Sequence, residues 1–229
     1  MTKIKSICID LLIGLGLAVI AACTYFSTLC PAVYPGPSAG AFVVSSGATP
    51  RFGPNSPLWF ALCDFVNASL PNVSQLVSLN GLSAICGAAA IWALYAVVRL
   101  SVWLTIKVEE ENYLQSLLAS RLAGTVAAFV LTFSLPFWMA ANRCHWSTFH
   151  LLLLLLALRL FLSSIQYGSN RLSYLFAFFY GIGCVEYSTF YVFTPIIAVV
   201  FFACAHKDER LTTGVLFKTL GCFLGGLLA

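Results

Sequence analysis

The stretch LVSLNGLSAICGAAAIWALYAVVRLSVWLTI, residues 76–106, decides the fold class of this chain. Arg99 is its only charged residue, and a membrane-spanning helix needs roughly 20 consecutive apolar residues. The run is therefore long enough to tilt within a bilayer or to extend beyond it. It predicts a helix that lies in lipid.

The composition of the whole chain indicates the same class. Of its 229 residues, 60% are hydrophobic and 9% are charged, whereas ordinary soluble domains carry roughly 25% charged residues. The formal net charge of +4 is small and does not argue for a nucleic-acid partner. We therefore predict a multi-pass membrane protein with membrane lipid as its surroundings and partner.

About seven apolar segments predict an all-α polytopic transmembrane bundle. The first is expected to be an uncleaved span, because its apolar character continues past Cys23. The last stops while still apolar, so we expect residues 1–229 to form a single transmembrane domain, the N-terminal part of a longer protein. The segments are about 7–29, 76–106, 122–141, 145–164, 172–187, 189–205 and 215–229.

The distribution of Lys and Arg residues predicts the orientation of these spans. With the N-terminus in the cytoplasm, only Arg51 and Arg143 fall on the outer side. An excess of positive charge in inner loops is typical of membrane proteins. We therefore expect a cytoplasmic N-terminus. The residues on the inner side are Lys3, Lys5, Arg99, Lys107, Arg121, Arg159, Arg171, Lys207, Arg210 and Lys218.

A long outer loop is predicted over about 30–75. It opens on TLCPAVYPGPSAGAF, residues 28–42, which is uncharged and rich in Pro and Gly and so predicts turns. The apolar piece Pro57–Val66 further along is too short to cross a bilayer. It predicts a short interfacial or re-entrant helix with Pro57 in its first turn.

Two acids on the outer side are candidates for catalysis. Asp64 is the only acid of the long first loop, although the solvated face of an interfacial helix would also carry an acid. Glu186 falls near the outer end of the fifth segment. It either faces an outer cavity or reaches the interface and pairs with Arg143.

Three outer cations are candidates for binding an anion. Arg143 and His145 together could hold a phosphate, or they could anchor a helix at the interface beside Trp146. Arg51 could contact a lipid phosphate or a substrate phosphate. No metal site is predicted, because the nine cysteines show no metal-ligand spacing. The cysteines are read as packing residues, with a disulfide between Cys30 and Cys63 as the alternative.

Three groups of short motifs follow one another along the chain. They are Leu29–Tyr34 with the Pro-rich Gly53–Trp59, then Phe137–Ala141 with Trp146–Leu156, then Tyr180–Gly183 with Glu186–Thr189. Their order and spacing over about 7–205 resemble a family of large bacterial membrane proteins related to protein O-mannosyltransferases. That family belongs to the GT-C class of glycosyltransferases.

The resemblance implies a GT-C-like N-terminal membrane module. It implies an enzyme that moves a sugar from a polyprenyl-phosphate donor to an acceptor at the outer membrane face. The protein would hold no cofactor of its own, and the lipid-linked sugar would be its partner and donor. The implied location is the bacterial inner membrane.

The motif acids of that family are missing from this chain. They fall on Pro37 and Gly40, and neither residue can act as the base expected to activate the acceptor hydroxyl. In the enzyme hypothesis the base would be supplied by Asp64 or Glu186. The donor phosphate would be held by Arg51, Arg143 and His145.

The missing acids keep a second hypothesis open. In it the chain is a non-catalytic relative that binds lipid or a partner membrane protein. A transporter is a third hypothesis, and it ranks last because Arg159 is the only charge that approaches mid-span.

Overall fold

The structure, a computed structural model, describes residues 3–33, 37–49, 56–106, 112–207 and 212–228. These ranges are helical and contain no strand, which confirms the all-α prediction. Helices suit lipid because each one satisfies its own backbone hydrogen bonds. The helices are α1 Lys3–Ser27, α2 Pro37–Ser45, α3 Pro57–Ser69, α4 Gln75–Thr105, α5 Tyr113–Phe133, α6 Leu135–Ala141, α7 Ser147–Tyr167, α8 Asn170–Glu186, α9 Thr189–Lys207 and α10 Thr213–Leu227.

Four of the described helices are long and apolar enough to cross a membrane. They are α1, over Ser6–Ser27, together with α4, α5 and α7. Helices α9, over Thr189–Cys204, and α10 are apolar but shorter. The protein is thus an integral membrane protein with a helical bundle. The number of seven spans stays a prediction.

The loop predicted over about 30–75 contains a helix that the sequence did not predict. Residues 28–42 were expected to form turns, yet α2 begins at Pro37 and continues to Ser45. Proline is favoured in the first turn of a helix, because its fixed φ angle suits the helix and its missing N–H needs no partner there. Gly40 is tolerated in α2, where a Cβ would meet nothing within 4 Å.

The segment predicted over 122–141 is two helices. Helix α5 ends at Phe133, Ser134 is extended with ψ 126°, and the short α6 follows. Pro136 lies in the first turn of α6. The break is expected there, because a proline inside a continuous helix removes one backbone hydrogen bond and clashes with the preceding turn.

The chain folds into two compact units, each with its own buried core. Unit 1 comprises residues 1–53 and 58–152. Its central element is α4, which packs against α1 and α5. Small residues allow these helices to approach closely, because a Cβ on Gly14 would press on the ring of Trp92 and one on Gly124 would press on the ring of Tyr95. The buried core of this unit contains Leu17, Ala21, Tyr25, Ala84, Ala88, Ile91, Tyr95, Ala128 and Ala141.

The short helix predicted from Pro57 is present as α3, and unit 1 buries one of its faces. Trp59 and Cys63 lie one turn apart on that face and are fully buried. The Trp59 indole Nε1 donates to the Ser45 hydroxyl at 3.0 Å, and its ring lies 6.0 Å from that of Phe149. Helix α3 is therefore docked on α2 and α7.

Unit 2 comprises residues 54–57 and 153–229. Its buried core is formed by Ala157, Phe161, Phe176, Tyr180, Cys184 and Phe190. Helices α8 and α10 touch backbone to backbone, since a Cβ on Gly181 would meet the Phe223 carbonyl and one on Gly226 would meet the Phe178 carbonyl. Small residues at such crossings are how membrane helices pack closely.

The cysteines favour the packing interpretation over the disulfide. Cys30 and Cys63 are both buried, and neither forms a disulfide. Cys86, Cys144 and Cys184 are likewise buried free thiols.

The α8–α10 contact provides the first test. Gly226→Ala places a methyl group on the Phe178 carbonyl and should destabilise the fold by roughly 1–3 kcal/mol, the usual cost of overpacking. Gly225→Ala is the matched control, because its Cβ would meet nothing within 4 Å. Melting temperatures of the two variants in detergent measure the difference. Equal melting temperatures would contradict the close crossing.

Candidate functional site

Two loops of unit 1 are held by one buried side chain. Asn80 of α4 is 1% exposed. Its Nδ2 donates to the Cys30 carbonyl at 2.9 Å, and its Oδ1 accepts from the Cys144 N–H at 2.6 Å. The amide thus joins the loop that follows α1, the α6–α7 turn and α4 at a single point.

Ser83 extends this connection by one helical turn. Its Oγ accepts from the His145 N–H at 3.0 Å and lies 3.4 Å from the His145 carbonyl oxygen, to which it donates. One further turn along α4, Gly87 lets Ala141 approach, since a Cβ there would lie 3.0 Å from the Ala141 Cβ. One face of α4 therefore carries the whole 141–145 segment.

The two loops also contact each other directly. The Cys30 N–H donates to the Asn142 carbonyl at 3.1 Å, and the Asn142 Nδ2 donates to the Thr28 carbonyl at 3.3 Å. The Trp138 indole donates to the Thr28 hydroxyl at 3.0 Å. The stretch that follows the first span is thus fastened to the segment that carries Arg143.

A small cavity lies where these loops meet. Its volume is about 10 Å³, which is room for about one water molecule. The half-buried Arg143 lines it beside the amide of Asn80 and the hydroxyl-bearing Ser38 of α2. The remaining lining residues are Ala32, Val33, Phe42, Leu76 and Cys144.

His145, predicted to form a cationic pair with Arg143, is held in a setting that favours its neutral form. Burial, together with the nearby His150, lowers the pKa of His145 below its ordinary value of 6.5. Its Nδ1 accepts a hydrogen bond from the Ser147 N–H at 3.2 Å. At neutral pH it can therefore donate a hydrogen bond through Nε2, while Arg143 carries the positive charge.

Cys144 lines the cavity but is a poor nucleophile. Burial raises the pKa of its thiol to about 11, and a hydrogen bond with Ser45 offsets only part of that effect. The thiolate, which is the nucleophilic form, is therefore scarce at neutral pH. The role of Cys144 is in packing and in its backbone bond to Asn80.

The remaining predicted site residues lie in different parts of the chain. Asp64 is on an exposed position of α3 in unit 1. Glu186 is the last residue of α8 in unit 2 and is 1% exposed. The Ser56 hydroxyl donates to the Glu186 carbonyl at 3.5 Å. Arg51 lies outside the described residues.

Sequence reasoning missed Asn80 and Ser83. The signal that could have found them is a pair of polar residues three positions apart in an otherwise apolar helix, because a polar group buried in lipid must have a partner. Across the described ranges, no group of three or more His, Cys, Asp or Glu residues could hold a metal ion.

A known family matches most of the chain. The family model described as "Protein O-mannosyl-transferase TMEM260 N-terminal domain" matches residues 53–210. This confirms the predicted relation to O-mannosyltransferases. The first-loop motif Leu29–Tyr34 lies outside the matched range, so that part of the resemblance stays a prediction. No curated protein and no solved structure matches the chain.

Asn80 allows a direct test of how the loops are held. Asn80→Ala leaves the Cys30 carbonyl and the Cys144 N–H buried and unsatisfied, at about 1–3 kcal/mol each. We expect the free energy of unfolding to fall by about 2–6 kcal/mol. The control is Gln75→Ala at the exposed start of α4, whose amide donates to the Ser46 carbonyl and which should change stability by about 0.5 kcal/mol. Similar losses in both variants would contradict the anchoring role.

The neutral His145 predicts a pH dependence. Because its pKa is lowered on folding, the unfolded chain binds the proton more tightly, so stability falls as the pH drops below about 6.5. We expect the melting temperature of the wild type to fall between about pH 7.5 and about pH 5.5. His145→Asn should reduce that fall. If the melting temperature of the variant falls as much as that of the wild type, another titratable group causes the pH dependence.

Proposed function

The chain belongs to the protein O-mannosyl-transferase TMEM260 N-terminal domain family, and from this premise we propose that it transfers a sugar from a polyprenyl-phosphate donor to an acceptor at the outer membrane face. The family match over 53–210 carries the proposal. It supports a glycosyltransferase-like membrane protein. The chemical class of the donor and the position of the acceptor are proposed from the resemblance to GT-C enzymes.

We propose that Arg143 binds the donor phosphate, with Arg51 and His145 as further ligands. The half-buried guanidinium beside the first-loop cavity supports this assignment, because a partly desolvated arginine binds phosphate through two hydrogen bonds. His145 would contribute an N–H rather than a positive charge, in keeping with its lowered pKa.

We assign the general base to Asp64, with Glu186 as the alternative. The base must reach the acceptor hydroxyl within hydrogen-bond distance. The exposed position of Asp64 supports it, because an acceptor can approach from solvent. Glu186 is buried, so an acceptor would need a path to it.

The proposed orientation keeps the N-terminus in the cytoplasm. The support for it is the excess of Lys and Arg on that side, with Arg51 and Arg143 on the other. The proposed location is the bacterial inner membrane, on the resemblance to the bacterial family.

An apolar pocket within unit 2 supports a lipid ligand. It has a volume of about 520 Å³ and is lined by residues of α8, α9 and α10, among them Phe176, Ile197 and Leu220. Three of the four hydroxyls in its wall have acceptors. Tyr180 and Thr194 donate to the Phe190 carbonyl at 2.6 Å and 2.8 Å, and Thr219 donates to the Val215 carbonyl at 2.8 Å. The pocket therefore offers a hydrocarbon surface.

A second candidate function is non-catalytic binding of lipid or of a partner membrane protein. Two observations favour it. Pro37 and Gly40 stand where the related enzymes have their acids. The cavity beside Arg143 measures about 10 Å³, which is far below the roughly 300 Å³ of a ligand pocket.

A sugar-transfer assay in membranes tests the two functions. With radiolabelled polyprenyl-phosphate mannose as the probe donor, Arg143→Gln should abolish transfer, and Asp64→Asn should lower the rate at least about 100-fold, the usual contribution of a general base. Arg171→Gln is the matched control, since Arg171 is exposed at the start of α8.

The outcomes separate the candidates. If Glu186→Gln loses transfer while Asp64→Asn remains active, Glu186 and not Asp64 is the general base. If wild-type membranes bind the donor but do not transfer the sugar, the result would contradict the enzyme and support the non-catalytic relative.

A further inference from the structure

A second polar cluster lies at the opposite end of α4 from Asn80. Asp10 of α1 forms ion pairs with Arg99 of α4, Nη2 to Oδ2 at 2.6 Å, and with Arg121 of α5, Nε to Oδ1 at 2.7 Å. Asn80 and Arg99 lie about 28 Å apart along α4 at 1.5 Å per residue. The cluster is therefore separate from the proposed transfer site and does not rest on the proposed function.

The two arginines differ in how many of their N–H donors have hydrogen-bond partners among the described residues. Besides its bond to Asp10, Arg121 donates through Nη2 to the Ser6 carbonyl at 3.2 Å and to the Ser6 hydroxyl at 3.1 Å. The Arg99 side chain is 23% exposed, and its buried Nε has no hydrogen-bond partner among the described residues. Arg99 thus has an N–H donor that a ligand could accept from.

The hydroxyl of Tyr95 is a second unsatisfied donor at the same place. Tyr95 is 1% exposed, and within the described ranges its hydroxyl has no hydrogen-bond partner. Asp10, Arg99 and Arg121 all act on it electrostatically. The Tyr95 ring is closely packed, because a Cβ on Gly124 would lie 2.9 Å from its Cδ2 and one on Gly14 would lie 3.3 Å from its Cδ1.

The charge and the donors of this cluster specify the chemistry of a ligand. Two guanidinium groups face one carboxylate, which leaves an excess of one positive charge in a largely buried setting. Asp10 Oδ2 also lacks a hydrogen bond, but it is ion-paired with Arg99 Nη2 at 2.6 Å. The groups left without any partner among the described residues are therefore an N–H and an O–H, and both need an acceptor. A phosphate oxygen provides both the acceptor and the negative charge, and buried unsatisfied donors call for such a partner.

The depth of the cluster indicates where that phosphate comes from. Arg99 lies six residues before the end of α4, and Asp10 lies seven residues after the start of α1, which is about 9–11 Å from the helix ends. Helix α4 is about 46 Å long, whereas the hydrocarbon core is about 30 Å thick. If α4 is centred in the bilayer, the cluster falls at the boundary between hydrocarbon and headgroups.

We propose that Asp10, Arg99 and Arg121, with the Tyr95 hydroxyl, form a binding site for the phosphate of an anionic phospholipid. Asp10 and Arg121 hold the geometry, and Arg99 and Tyr95 donate to the phosphate. The lipid lies in the leaflet at the end of the bundle where α1 and α5 begin.

The test measures the melting temperature of the full chain in nanodiscs of phosphatidylcholine with increasing phosphatidylglycerol. A ligand that binds the folded state raises this temperature. Tyr95→Phe keeps the packing and removes one donor, so the lipid titration should shift about tenfold to higher phosphatidylglycerol. Arg99→Gln should abolish the response.

The controls separate a specific site from general attraction. Arg171→Gln removes an exposed arginine predicted on the same side and should leave the titration midpoint close to that of the wild type. Asp10→Asn raises the positive charge of the cluster and should lower the midpoint. If Arg99→Gln does not fold, Tyr95→Phe still decides the question.

Three results would overturn the proposal. The first is a melting temperature that is independent of phosphatidylglycerol, as expected if only water satisfies the donors. The second is a response that Tyr95→Phe and Arg99→Gln leave intact. The third is equal stabilisation by inorganic phosphate in pure phosphatidylcholine nanodiscs, which would assign the site to a soluble anion.

Discussion

The amide of Asn80 needs a partner for its donor and one for its acceptor inside an apolar helical bundle, and the arrangement of the loops that follow α1 and α6 depends on these two bonds. Each bond goes to loop backbone, to the Cys30 carbonyl and to the Cys144 N–H. Asn80 is 1% exposed, so breaking either bond leaves a buried polar group without its partner, at a cost of about 1–3 kcal/mol. The loops are therefore held in place because releasing one of them would strand a buried polar group.

Close helix packing makes this connection effective. Gly87 admits Ala141 to the surface of α4 one turn beyond Ser83, and Gly14 and Gly124 admit the Tyr95 ring between α1 and α5. Small residues are the usual means by which membrane helices approach, since lipid supplies little hydrophobic force between them. Helix α4 thus presents polar groups near both ends and a tightly packed middle.

The helices could be predicted from the sequence, because long apolar runs leave few other structures available in lipid. Helix α2 and the break at Ser134 were missed, since proline reads equally well as a turn and as the first residue of a helix. The site was predicted only in part. Arg143 and His145 were found from their place in an outer segment, but the partners of Asn80 lie 50 and 64 residues away, and no local pattern encodes such contacts.

The anchoring by Asn80 also bears on the choice between the two candidate functions. The cavity beside Arg143 is lined partly by the loops that Asn80 holds and partly by Ser38 and Phe42 of α2, so on the loop side it enlarges only if one of the Asn80 bonds lengthens or breaks. A transferase could drive that change with the binding energy of its donor, provided that the donor contacts are stronger in the open state. A lipid-binding relative has no such need, because the apolar pocket within unit 2 is already about 520 Å³. The first loop therefore separates the two candidate functions, because a transferase needs it to open around the donor and a lipid-binding relative does not.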